Sequence, residues 1–311
     1  APRRWTASPP HPRILSMGAG SMATATSTQN RGRTRPFRWS WLQVGLWVCL
    51  GLGSILMVGP FYWTLVTSFK SREEVRLFPP TWWPQSPTLE HWAKLADLRI
   101  GSFVDFYRNS LLVAGSVTIL VLITSALVGY VLAKYEFRGR EVVFFGVLSM
   151  MMIPFNISII PLYALIVDLN WSNTFWALII PSIYSPFGIF LMRQFMHSIP
   201  NELIDAARID GASDYGIFAR IILPLSTAPL AALGIFTFIG QWDDFVWPLV
   251  VINDPARYTI PLGLSQFRGR VGTDVGGLAA AAMIAVIPVL IVYFAAQRRF
   301  IEGIALTGMK G

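Results

Sequence analysis

Six stretches of this chain lack any Asp, Glu, Lys or Arg and are long enough to cross a bilayer, which restricts the fold more than any other feature. They run from Trp39 to Phe69 (31 residues), Asn109 to Ala133 (25), Val142 to Val167 (26), Leu169 to Met192 (24), Ile221 to Trp242 (22) and Val275 to Gln297 (23). A helix rises about 1.5 Å per residue, so a hydrocarbon core of about 30 Å calls for roughly 20 apolar residues. Only 14% of the 311 residues are charged, against about 25% in a soluble protein. The expectation is an all-α integral membrane protein with six transmembrane helices, at about 41–69, 109–133, 142–166, 174–196, 221–250 and 276–297. A soluble enzyme, a secreted disulfide scaffold and a β-barrel are excluded.

Charge orients the spans. With both termini on the cytoplasmic side, segments 1–38, 134–141, 193–220 and 298–311 face inward and hold 16 basic and 7 acidic residues, a net +9. The outward segments 70–108, 168 and 243–274 hold 9 basic and 10 acidic residues, a net −1. Such a bias places both ends in the cytoplasm. Residues 1–38 are rich in Arg, Pro, Ser and Thr, contain no acid and have no apolar period, so they are expected to be a disordered basic tail ahead of a transmembrane domain over 39–311. Segment 70–108, punctuated by Pro79, Pro80, Pro84 and Pro87, is expected to form a small outer cap. Prolines inside the third, fourth and sixth runs (Pro154, Pro161, Pro181, Pro186, Pro288) interrupt helices, which suits a pathway as well as plain kinking.

Cys49 is the single thiol and sits in the first apolar run, where it is expected to pack as a small hydrophobe, and no disulfide within the chain is possible. His11, His91 and His197 lack metal-ligand spacing, so no metal site is expected. The basic balance reports topology here rather than nucleic-acid binding. No G-x-x-x-x-G-K-[ST] loop occurs. If ATP drives this protein, another subunit binds it.

The most informative segment is the inward-facing loop 198–220. After Pro200, the acids Glu202 and Asp205 lie near the start of a short helix and suit its dipole. Gly211 fits a C-terminal cap with positive φ. The small Ala206 and Ala207 leave a face that another protein can approach, and by periodicity alone the helix is an ordinary surface helix. The spacing of Asp205-Ala206-Ala207, Asp210-Gly211-Ala212, Phe218 and Ile221-Ile222-Leu223-Pro224 resembles the signature loop of ABC importer permeases. Thr67-Ser68-Phe69-Lys70, Asn109-Ser110, Met152-Ile153-Pro154, Ile160-Pro161-Leu162-Tyr163, Asn173-Thr174, Trp242 to Leu249 and the tail from Phe300 through Gly311 are similar to the MalG-like, carbohydrate-carrying branch. The similarity covers roughly Val44 to the C-terminus, with Asp243 standing where that branch has Asn.

This resemblance implies a permease core of the MetI-like fold in a bacterial or archaeal cytoplasmic membrane. Its implied partners are a second homologous permease subunit, two ATPase subunits that hold ATP and Mg, an extracytoplasmic solute-binding protein, a carbohydrate substrate and membrane lipid. No catalytic residue is expected in this chain. Glu202, Asp205, Ala206, Ala207, Asp210 and Gly211 are the implied ATPase-coupling residues, with Asp205 either receiving a basic partner or capping its own helix. Trp242, Asp243 and Asp244 fall about 28 Å beyond Pro224 along a continuous helix. They fit either a substrate path, where rings stack on sugar CH faces and acids accept hydroxyls, or an interfacial aromatic belt with helix-end acids. Arg257, Tyr258, Arg268 and Arg270 lie in the outer loop that the family turns toward its binding protein, although solvated arginines account for them equally. A permease for a non-sugar solute is the nearest rival. An ion-coupled transporter is disfavoured, because no ionisable residue interrupts the six runs and no internal repeat is visible.

Overall fold

The computed structural model describes residues 41–95, 102–265, 267–269 and 272–308. The expected tail at 1–38 lies outside them. Fourteen helices follow in order among the described residues: α1 (Trp41–Ser68), α2 (Glu90–Lys94), α3 (Phe103–Lys134), α4 (Arg140–Met151), α5 (Phe155–Asp168), α6 (Phe175–Ile179), α7 (Pro186–His197), α8 (Glu202–Ile209), α9 (Asp214–Ile217), α10 (Leu223–Leu225), α11 (Thr227–Trp242), α12 (Val246–Val251), α13 (Ile260–Ser265) and α14 (Val275–Gly308). A two-residue antiparallel hairpin pairs Arg268–Gly269 with Gly272–Thr273. Among the described residues, those up to Leu52 and those from Gly53 onward form separate compact units. Cys49, expected to pack, is exposed.

Among the described residues, four helical segments are long and apolar enough to cross a membrane, or six if each of two bent pairs is counted as one span. The bends correct the expectation of straight crossings. At Met152–Pro154 the chain turns by 99° between α4 and α5, because Pro154 takes an extended ψ of 133° and its ring removes the amide that a continuous helix needs. The two arms, 12 and 14 residues long, are each too short for a straight crossing. A second bend of 76° at Ser226 separates Asp214–Leu225 from α11. A π-helical turn, Phe218–Ile222, precedes it. The expected span 221–250 breaks again after Trp242, at residues 243–245, before α12 begins. The expected span 174–196 is α6, a 3-10 turn over Ile180–Ser182, and α7, reopened at Ser185 ahead of Pro186.

The main core forms where α3 crosses α7. A methyl group on Gly129 would lie 2.7 Å from Met192 Cβ and 3.0 Å from the Arg193 amide, so only hydrogen fits. Small residues that let backbones approach are how helices gain packing energy in lipid, where burying apolar surface brings little. Val117, Val121, Tyr130, Met192, Met196, Ile217 and Ile222 fill the same core. Beside the C-terminal end of α3, Arg193 is buried: Nε donates to Leu132 O at 3.2 Å, one terminal nitrogen donates to Glu141 at 2.7 Å, and the guanidinium lies 3.6 Å over the Phe144 ring. These contacts join α3, α4 and α7.

On the opposite side, the cap after α1 is organised by one buried acid. Glu74 accepts hydrogen bonds from Thr81 Oγ1 (2.7 Å) and from the amides of Gln85 (2.9 Å) and Ser86 (3.4 Å). His91, also buried, lies 3.1 Å from the Lys70 carbonyl and 3.5 Å from the Asp274 carboxylate, tying α2 to the start of α14. Burial pushes the Glu74 carboxyl up, but those hydrogen bonds and the Lys70 charge outweigh it and hold it below the usual carboxylate value. A depressed value means the stabilisation is complete above the unfolded pKa of about 4.3 and is lost as pH falls through the lower folded value.

Two outcomes are expected. Gly129→Val should cost about 1–3 kcal/mol by overpacking, read as a lowered thermal midpoint of the solubilised protein; an unchanged midpoint would contradict the close crossing. Glu74→Gln should lower the midpoint at pH 7, and the gap from wild type should shrink as pH drops below about 4.3. A gap independent of pH would show that the carboxylate charge does not hold the cap.

Candidate functional site

The loop after α7 is rooted on the core and open on its other side. Within α8, Ile204 and Ala207 are buried, whereas Leu203, Ala206 and Ile209 form an exposed stripe at spacing of three, with Ile209 87% accessible. Next to it Tyr215 is 79% accessible. Pro200 precedes the helix, which begins after Asn201. Helix α8 ends in a Schellman closure: the Ala212 amide donates to Ala207 O (2.9 Å) and the Gly211 amide to Arg208 O (3.0 Å), with Gly211 at φ +81°. Asp205 does not cap the helix; it lies 4.0 Å from Arg208, which donates to Asp214 at 3.2 Å. Glu202 and Asp210 are exposed at the two ends. From the end of α3, Lys134 reaches across to Ile199 O and, at 2.8 Å, Asn201 Oδ1. Phe218 packs 5.1 Å from the Tyr130 ring. The loop is thus gripped by α3 on one flank and by the π-helical turn on the other.

At the other candidate site, three helix breaks meet. A cavity of about 630 Å³ is lined by Ile153 and Phe155 from the α4–α5 bend. Ser182, Tyr184, Ser185 and Pro186 reach it from the break ahead of α7. Thr237, Gln241, Asp244 and Trp247 complete it from α11 and the break before α12. Asp244 Oδ1 accepts the Trp247 amide at 3.4 Å. Buried Trp247 donates through Nε1 to Ala177 O at 2.8 Å and presents its edge to Phe155. Asp243 is exposed at the end of α11 and does not line the cavity. Trp242, grouped with the two acids from the sequence, is only 2% accessible. It stacks on Phe238, meets Tyr107 edge-on and donates from Nε1 to Ala285 O at 3.0 Å, bolting α11 to α3 and α14. Since α11 starts only after the 76° bend, the 28 Å continuous-helix distance does not apply.

The model of the family described as binding-protein-dependent transport system inner membrane component matches residues 107–305. The chain belongs to this family. It is 38% identical over 228 residues to the arabinooligosaccharides transport system permease protein AraQ of Halalkalibacterium halodurans, covering 73% of this chain and 81% of that one. It is 33% identical to the diacetylchitobiose uptake system permease protein NgcG of Streptomyces coelicolor, covering 80% and 82%. Among solved structures, a bacterial ABC transporter involved in the import of the acidic polysaccharide alginate superposes with a TM-score of 0.75 at 22% identity, covering 85% of this chain and 99% of that one. The fold is therefore that of a MetI-like importer permease.

In this permease the loop 252–260 is welded to the spans by polar residues singled out from the sequence. Asn109 Nδ2 donates to Ala256 O (2.9 Å) and Tyr258 O (3.0 Å), and Ser110 Oγ accepts the Ile260 amide at 2.8 Å. Asn173, at φ +61°, accepts the Asn253 and Asp254 amides on Oδ1 and receives Arg257 on its carbonyl at 2.7 Å. Arg257 is thus committed within the chain, and Tyr258 lies against the Phe106 ring. Arg268 is in the hairpin, and Arg270 lies outside the described residues. Sequence reasoning missed Tyr184, Thr237 and Gln241; the signal for Tyr184 was its position between Pro181 and Pro186, both noted as interruptions. Asn109→Ala should leave two loop carbonyls without a donor, costing about 1–3 kcal/mol, read as a lower thermal midpoint and faster proteolysis within 253–258. Wild-type values of both would contradict the pinning role.

Proposed function

We propose that this chain is one of two permease subunits of an ABC importer that moves a carbohydrate, an oligosaccharide, sugar or polyol, across a bacterial or archaeal cytoplasmic membrane. In this reading six spans, two of them bent, leave both termini inside, as the inner net charge of +9 supports. Two separate ATPase subunits hold ATP and Mg, and an extracytoplasmic binding protein delivers the solute at the outer loop. Arabinooligosaccharide and diacetylchitobiose permeases among the relatives support a sugar, while a sulfoquinovosyl glycerol permease and an sn-glycerol-3-phosphate permease support an anionic polyol derivative as the second reading.

The observation that carries the proposal is the construction of α8. It is short, closed at Gly211, anchored inward through Ile204 and Ala207, and open through Leu203, Ala206 and Ile209. Such a helix fits a cleft in an ATPase subunit while staying rigidly attached to its own core. Asp205 and Arg208 flank the open stripe and offer polar contacts at its rim. Ala207 faces inward, so the small residue available to a partner is Ala206. Helix α7 starts at the cavity with Pro186 and ends at His197, where the loop begins and four residues before α8, so about 18 Å of rigid rod joins cavity and loop.

The test is ATPase stimulation by the loaded binding protein in a reconstituted complex. Ala206→Trp and Ile209→Glu should each reduce stimulation and uptake more than tenfold and release ATPase subunits during purification, while membrane insertion stays normal. Gly211→Ala, strained by about 1 kcal/mol or more at this φ, should weaken coupling less. Full stimulation by both Ala206→Trp and Ile209→Glu would overturn α8 as the docking element.

A further inference from the structure

We propose that the cavity between the three helix breaks excludes anionic solutes and admits neutral oligosaccharides, with Asp244 as the residue that sets this preference. The inference rests on the import reading above and deepens it, since a permease of this fold also serves an acidic polysaccharide. Asp244 is the single ionisable carboxylate on the wall, and none of the lining residues is Lys, Arg or His. No ion pair to Asp244 exists among the described residues; its contacts are the Trp247 amide on Oδ1 and the Val246 amide, helix-start bonds that bring no opposite charge to the carboxylate. Ser182 and Ser185 are partly committed to backbone, to Leu178 O and from the Gly188 amide. Thr237 and Gln241 face the same space with donors and acceptors for hydroxyl groups. Phe155 and Tyr184 supply the exposed ring surface on which pyranose or furanose CH faces stack, and buried Trp247 backs the wall behind them.

The charge decides between sugar classes. A carboxylate or sulfonate on a solute about 4 Å from Asp244 is disfavoured about fivefold at the dielectric of bulk water and about a thousandfold at an effective dielectric of 20. A neutral hydroxyl at the same place instead donates to the carboxylate, a charge-assisted hydrogen bond. At about 630 Å³ the space falls in the range of small-molecule sites and takes a few sugar rings.

The experiment uses the complete reconstituted complex with Cys49→Ala and a reporter thiol on the cavity wall, Gln241→Cys, or Thr237→Cys as a second reporter. Two methanethiosulfonates of similar size, one bearing trimethylammonium and one sulfonate, react with the thiol, and their rate ratio is divided by the ratio for 2-mercaptoethanol. Modification is read by mass on this chain alone. The expected normalised ratio exceeds ten and falls at least fivefold with Asp244→Asn, which retains an oxygen to accept the Trp247 amide. In parallel, uptake of radiolabelled arabinotriose and chitobiose is measured with each one's cognate binding protein supplied. A ratio near one, a ratio unmoved by Asp244→Asn at both reporters, or no modification by either reagent overturns the inference even when neutral uptake is normal. A high, Asp244-dependent ratio without uptake of either saccharide supports the charge filter and instead overturns the carbohydrate reading.

Discussion

An interrupted helix inside a membrane leaves amide and carbonyl groups that lipid cannot satisfy, so every interruption must be covered by protein or water. This constraint organises the permease. Breaks at Met152–Pro154, at 183–185 and at 243–245 occur in three different spans, yet all three face one cavity. Kinked spans scattered around a bundle would each need separate cover. Here one space of mixed polar and apolar lining serves these three, with Asp244, Ser182 and Ser185 beside the interrupted backbone, while the bend at Ser226 is covered by protein elsewhere.

The remaining packing connects that space to the loop that carries α8. Helix α3, at 32 residues, is continuous, and it touches the machinery at three levels. Asn109 and Ser110 hold the loop at 256–260, Gly129 admits α7 to close range, and Lys134 grips the segment ahead of α8 at Asn201. Helix α7 runs alongside it from the cavity wall to the loop. On the proposed docking, a displacement of α8 would reach Tyr184 and Ser185 through the four-residue link 198–201 and this short rod. Arg193, buried against Leu132, Glu141 and Phe144, adds α4 to the same block.

Much of this was legible in the sequence, for reasons that differ by element. The apolar runs are dictated by the bilayer and need no tertiary knowledge, so their existence could be read directly. Gly211 could be placed at a left-handed cap because few residues tolerate φ near +80°. The bends were half legible: Pro154 and Pro186 announced interruptions, but a 99° turn depends on what the two arms pack against. Trp242 and Asp244 are two residues apart and read as one cluster, yet the break at 243–245 turns the indole into the core and the carboxylate into the cavity. Ala206 and Ala207 are adjacent and alike in the sequence, and only the docking of α8 on Ile217 and Phe218 distinguishes the buried one from the open one. Arg193 gave no signal beyond a charge at the end of a span, where positive residues are ordinary.

The central claim is that the space made by the three converging breaks is the solute pathway of the permease. Its most direct test is a cryo-electron microscopy structure of the assembled complex, with its partner permease, ATPase subunits and binding protein, trapped with a neutral oligosaccharide. The account predicts sugar density between Tyr184, Gln241 and Asp244, with a hydroxyl within hydrogen-bond distance of the carboxylate. Acyl-chain density filling that space, with sugar bound elsewhere in the membrane region, would contradict it.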